Sequence, residues 1–117
     1  MAKPRVLVVE DDSDLRRLYA IGLNQRGFQV RLAANGAEAI DRVDRERPDL
    51  ILLDMMMPLM SGWDVLEKIN PPTSTSPIPV IVISGQPGEH ETPPSVRAWL
   101  GKPVTLDELV KSISEQL

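Results

Sequence analysis

At 117 residues the chain has room for one domain with one core. Hydrophobic residues at 42% and charged residues at 26% are the balance of a folded soluble protein, not a disordered one. A net charge of −4 argues against a direct nucleic-acid binder, and the absence of cysteine excludes a disulfide framework, a thiolate zinc site and a cysteine nucleophile. No apolar run approaches a membrane span or a signal-peptide core, so a cytoplasmic chain without membrane insertion is expected.

Val6–Val9 is the first of three nearly continuous apolar runs, the others being Leu50–Leu53 and Val80–Ile83. Continuous rather than alternating runs predict strands buried on both faces. After the first run, Leu15, Leu18, Tyr19 and Leu23 form a helical stripe, with Asp12 or Ser13 as its cap and Gly27 as its stop. Phe28–Leu32 alternates and reads as a strand with one wetter face. Ala37–Arg47 predicts a second helix, ended by Pro48, and Ser61–Ile69 a short third. Asn70–Pro77 is a turn-rich loop. A fifth strand is expected near Arg97–Leu100, and Thr105 with Glu108 has the form of a capping box opening a last helix along Leu106, Leu109, Val110, Ile113 and Leu117. Alternating strands and helices imply right-handed crossovers, and hence an α/β parallel sheet with helices on both faces.

Sites in such sheets form beyond the carboxyl ends of the strands. Glu10, Asp11 and Asp12 follow the first run, Asp54 the second, Ser84 the third and Lys102 the last. Each has an ordinary reading alone, and for Asp12 and Ser13 helix capping is preferred. Their joint placement at four strand ends favours a site. Clustered carboxylates repel unless a cation sits among them, and oxygen ligands without His or Cys favour Mg²⁺ or Mn²⁺ over zinc. A hydroxyl and an ammonium opposite a metal suit phosphoryl oxygens, and an Asp there can itself be the nucleophile.

Four motifs in order resemble those of the receiver domain of two-component response regulators, the CheY-like family: VLVVEDDSDLRR over Val6–Arg17, LILLDMMMPLMSG over Leu50–Gly62, VIVISG over Val80–Gly85 and GKP over Gly101–Pro103. The resemblance covers essentially the whole chain. It implies a single receiver domain over 1–117 with a doubly wound, flavodoxin-like sheet in the order 2-1-3-4-5. Asp54 is then the phosphoacceptor, supplied by a histidine kinase or a histidine phosphotransfer protein. Glu10, Asp11, Asp54 and the Met56 backbone carbonyl hold Mg²⁺, and Ser84 and Lys102 hold phosphoryl oxygens. Lys102–Pro103 is implied to be cis. Ser84 and Trp99 are the switch pair, although Trp99 reads equally well as an ordinary half-buried strand aromatic. The downstream effector is not implied, and a monomer or weak dimer is expected. The domain is not an enzyme in this reading beyond its own phosphotransfer and slow self-dephosphorylation. The alternatives are an Asp-nucleophile Mg²⁺-dependent phosphatase, disfavoured by Met56 where a second carboxylate would stand, and a phosphorylation-independent interaction module.

The chain departs from the family pattern between Ser84 and Lys102, a stretch a few residues short. Pro87, Gly88, Pro93 and Pro94 leave little room for the usual fourth helix, which is expected to be shortened or absent. A dimer through that face is then expected to be weak or rebuilt, with signalling through the final helix or the first. His90 reads as a solvated loop residue.

Overall fold

In the computed structural model, which describes residues 2–57, 60–73, 75–85 and 92–117, nine elements follow in chain order. They are β1 (Arg5–Val9), α1 (Ser13–Gln25), β2 (Gln29–Ala33), α2 (Gly36–Arg45), β3 (Leu50–Asp54), α3 (Gly62–Ile69), β4 (Val80–Ser84), β5 (Val96–Gly101) and α4 (Leu106–Gln116). The strands form one parallel five-stranded sheet in the order β2-β1-β3-β4-β5.

The three apolar runs are the three inner strands, and the period of two within them divides the core. Leu7, Val9, Ile51, Leu53, Val80 and Val82 turn to one face, where Ala39 of α2 and Val65 and Leu66 of α3 cover them. Val6, Val8, Leu50, Leu52, Ile81 and Ile83 turn to the other, under Tyr19 and Leu23 of α1 and Leu109 and Ile113 of α4. Helices therefore cover both faces, as the alternation of elements predicted.

Local chemistry sets the element ends. The Asp12 side chain accepts hydrogen bonds from the backbone N–H groups of Asp14 and Leu15, so Asp12 is the α1 cap and Ser13 is already helical. Gly27 leaves that helix at φ +96°, a conformation glycine reaches without steric cost. Thr105 accepts from the Glu108 N–H at 3.1 Å, and Ser61 and Asp64 form a full reciprocal capping box at α3. Asn70 imitates a strand neighbour: its amide donates to the Ile78 carbonyl and accepts from the Ile78 N–H, both at 2.8 Å. That pair closes the proline-rich loop and delivers the chain into β4.

Some expectations need correction. Leu117 lies past the end of α4 and is exposed rather than part of the last buried stripe, and the second strand spans Gln29–Ala33 and not Phe28–Leu32. Leu18 is 64% exposed rather than part of the buried stripe. At 3.6 residues per turn it stands about 100° round the helix from Tyr19, beyond the edge that the sheet covers. The second helix spans Gly36–Arg45 and not Ala37–Arg47. Glu46 is already extended as the helix cap, and Pro48 disfavours the helical region for Arg47 next to it, so the helix has no way to continue. The fifth strand is longer than Arg97–Leu100 by one residue at each end.

Between β4 and β5, the prediction of a loop falls largely on residues 86–91, His90 among them, which lie outside the described residues. The described part holds no helix: Pro94 and Ser95 form a turn, with the Val96 N–H donating to the Pro93 carbonyl at 2.9 Å.

Candidate functional site

Parallel pairing aligns the strand ends that carry the polar residues. Val9 pairs with Leu53, Asp54 with Ile83, and Ser84 with Gly101. Glu10, Asp54, Ser84 and Lys102 thus meet at one edge of the sheet, with the Lys102 N–H donating to the Ser84 carbonyl at 2.8 Å. The Lys102–Pro103 peptide is cis.

Lys102 lies between two carboxylates. Its Nζ is 3.3 Å from Glu10 Oε1 and 3.3 Å from Asp54 Oδ2. Both acids are 2% exposed, and the lysine is 29% exposed. The other oxygen of Asp54 accepts from the Met56 N–H at 3.0 Å. Asp11, exposed at the rim, completes a set: Glu10, Asp11 and Asp54 each offer an oxygen within 4.8 Å of the others.

Burial pushes the Glu10 carboxyl up from 4.5 to about 8, with the hydrogen bond to Asp54 and its charge adding to the rise and Lys102 opposing it. Burial alone would lower the Lys102 ammonium, but the charges of Asp54 and Glu10 outweigh it and hold it above its ordinary value. The edge carries more negative charge than one lysine neutralises, so a cation is favoured there. The donor set is oxygen only, the preference of a hard divalent ion. Ligand distances of about 2.0–2.1 Å allow one small ion to touch oxygens up to about 4 Å apart, which the cluster's span permits after small side-chain adjustment.

Residues that the sequence did not single out complete the frame. Arg16, one turn into α1, donates to the Glu10 carbonyl at 2.8 Å and to the Asp11 carbonyl at 3.4 Å, fixing the acidic loop from behind. Trp63 of α3 lies beside Trp99 of β5, ring centroids 6.0 Å apart and planes at 41°. Trp99 is half-buried against the α2–α3 side of the core.

Gly62 has a packing reason. A Cβ built there would lie 2.8 Å from the Met55 Cα, next to Asp54 in the chain. The Gly62 N–H also faces the Met55 carbonyl at 3.4 Å. Backbone cannot yield as a flexible side chain does. Gly62→Ala is therefore expected to cost about 1–3 kcal/mol by urea denaturation. A variant as stable as the natural chain would show that this approach is not tight.

The family model for the response regulator receiver domain matches residues 6–114. The chain belongs to this family. The receiver is 36% identical over 121 residues to the transcriptional regulatory protein PrrA of Mycobacterium tuberculosis, a match covering 100% of this chain and 51% of PrrA. It is 35% identical over 116 residues to the sensor histidine kinase TmoS of Ectopseudomonas mendocina, covering 96% of the receiver but 12% of TmoS. Among solved structures, the receiver domain of the hybrid histidine kinase CckA superposes with a TM-score of 0.81 at 32% identity, covering 97% of this chain and 98% of that one. The receiver spans about half the length of the PrrA and MprA relatives it matches.

Proposed function

We propose that this receiver, one unit over residues 1–117, is a phosphorylation-controlled signalling switch whose phosphoacceptor is Asp54. The observation that carries this reading is the buried Asp54 carboxylate, held at a strand end by the Lys102 ammonium at 3.3 Å and the Met56 N–H at 3.0 Å, with Glu10 and Asp11 beside it. An Asp54 oxygen attacks the phosphorus of a phosphohistidine on a histidine kinase or a histidine phosphotransfer protein. The P–N bond breaks as the new P–O bond forms, and the imidazole leaves. The chain's share of the work is positioning and charge compensation.

Glu10, Asp11, Asp54 and the Met56 carbonyl would hold Mg²⁺, which when bound supplies positive charge for the phosphoryl oxygens. Lys102 and the Ser84 hydroxyl take up the remaining oxygens. The acyl phosphate then reweights two conformations through Ser84 and Trp99, because its oxygens engage Ser84 and Lys102 better in one of them. Slow self-dephosphorylation ends the signal. Met56 stands where a turnover phosphatase would need a second carboxylate, and its side chain is 64% exposed.

The first helix offers a partner surface, since Leu18 and Ile21 are both exposed on α1. The net charge of −4 argues against this domain itself contacting nucleic acid. Among the described residues no helix is long and apolar enough to cross a membrane. The proposed setting is the cytoplasm, as a monomer or weak dimer.

Incubation with a small acyl-phosphate donor and Mg²⁺ tests the reading. Intact-mass analysis is expected to show a single phosphoryl increment, lost when a chelator is present. A chain that stays unmodified through a prolonged incubation with Mg²⁺ is not a phosphoacceptor.

A further inference from the structure

Away from the carboxylates, the face that α2 covers gathers arginines. Leu7 pairs with Arg31 across β1 and β2, and the period of two sends Arg5, Leu7, Arg31 and Ala33 to that face. Arg42 and Arg45 descend from the last turn of α2, and Glu46 from its cap. Arg5, Leu7, Arg31, Arg42, Arg45 and Glu46, with Pro48, line a cavity of about 130 Å³.

The charges do not balance. Arg5 pairs with Glu46 at 3.5 Å, and Arg45 with Asp41 at 3.0 Å. Arg31 donates to the Val30 carbonyl at 3.3 Å. Among the described residues, neither Arg31 nor Arg42 has a carboxylate within ion-pair distance. Two ordinary explanations cover part of this. The helix dipole favours Arg42 and Arg45 at the carboxyl end of α2. A charge on an edge strand discourages pairing with another chain, which accounts for Arg31, exposed on β2. Neither explains why strand and helix arginines share one cavity, in a chain whose net charge is −4.

We propose that this cavity is an anion site for a phosphate-bearing small ligand, distinct from the carboxylate cluster. The planar guanidinium fork matches phosphate oxygens two at a time. The volume is several times a water's share of about 30 Å³, and below the roughly 300 Å³ at which pockets enclose a whole drug-sized ligand. It suits one phosphate or a pyrophosphate. The rest of a nucleotide would lie outside, over the exposed turn of α2. The ligand is thus free phosphate or the phosphate end of a nucleotide, and the two are separable by experiment.

The test titrates the full chain, in chelator and at constant ionic strength, with inorganic phosphate, pyrophosphate, AMP and ATP, followed by backbone amide NMR. Saturable shifts are expected at residues 29–31 and 42–46. Stronger binding of the nucleotides than of phosphate and pyrophosphate assigns a nucleotide, and equal binding assigns the phosphate group alone. Arg31→Gln and Arg42→Gln are each expected to weaken the affinity by about three- to tenfold. Both variants are checked for a natural amide spectrum before titration, and Lys111→Gln on α4 serves as the charge-loss control. The proposal is overturned by shifts that fail to saturate, by equal shifts with chloride, or by affinities unchanged in both arginine variants. It is equally overturned if Lys111→Gln weakens binding as much as they do.

Discussion

Replacing Asp54 with Asn is expected to abolish phosphoryl uptake and, in chelator at pH 8, to make the chain more stable than the natural one. The reason lies in Glu10. Its folded-state value of about 8 lies above the ordinary 4.5, so the folded chain binds this proton more tightly than the unfolded chain. The stability it contributes is fully present below the ordinary value and is lost as pH rises through about 8. Burial is the largest cause and survives the substitution, but the hydrogen bond and charge of Asp54 come next and disappear. The variant should therefore lose less stability between pH 5 and pH 8, with a gain on the order of 1 kcal/mol at the upper end. Mg²⁺ stabilises the natural chain by binding only its folded state, and its effect on the variant should be weaker. Thermal melts across that range, with chelator and with Mg²⁺, measure both. An Asp54→Asn chain that is less stable in chelator and responds to Mg²⁺ undiminished would place the carboxylate cluster elsewhere.

Much of this arrangement is legible in the residues because a parallel sheet imposes it. A continuous apolar run such as Leu50–Leu53 has to be covered on both faces, and whatever follows it has to emerge at the carboxyl edge. Asp54 is placed by that rule before any contact is known. What stays hidden depends on approach across the chain. Arg16 is one of two adjacent arginines on a helix until α1 packs and brings its guanidinium to the Glu10 and Asp11 carbonyls. Trp63 and Trp99 are 36 positions apart in sequence and meet only when α3 lies over the sheet. Gly62 reads as a motif letter, and its reason is the Met55 backbone against it. The arginine cavity draws on two strands and a helix, so no basic run announces it. Leu18 went astray for the opposite reason: periodicity fixes the direction of a stripe but not the width that its neighbours cover.

Lys102→Ala should be the most damaging single change at the site in chelator. It leaves Glu10 and Asp54, each 2% exposed, facing one another without the ammonium that lay 3.3 Å from both. Removing one partner of a fully buried pair costs about 3–5 kcal/mol. The lysine is 29% exposed, so solvent screening reduces that to about 1–3 kcal/mol at pH 8. The dependence on pH separates lost charge from lost packing. Lys102 is held above its ordinary value and stays charged throughout the neutral range, so its own charge is constant there and any change in its effect between pH 5 and pH 8 comes from Glu10. Without it, Glu10 loses the influence that lowers its value and keeps its proton to still higher pH. The cost should therefore shrink at pH 5, where Glu10 is protonated in either chain, and should shrink at pH 8 when Mg²⁺ replaces the missing charge. Lys102→Arg keeps the charge and is expected to recover most of the stability at pH 8, although its planar fork is a poorer replacement for the ammonium between two acids. Urea denaturation of the three chains at both pH values decides the matter. A loss of equal size at pH 5 and pH 8, indifferent to Mg²⁺ and not recovered by arginine, would mean that the lysine acts through its aliphatic stem and not through its charge.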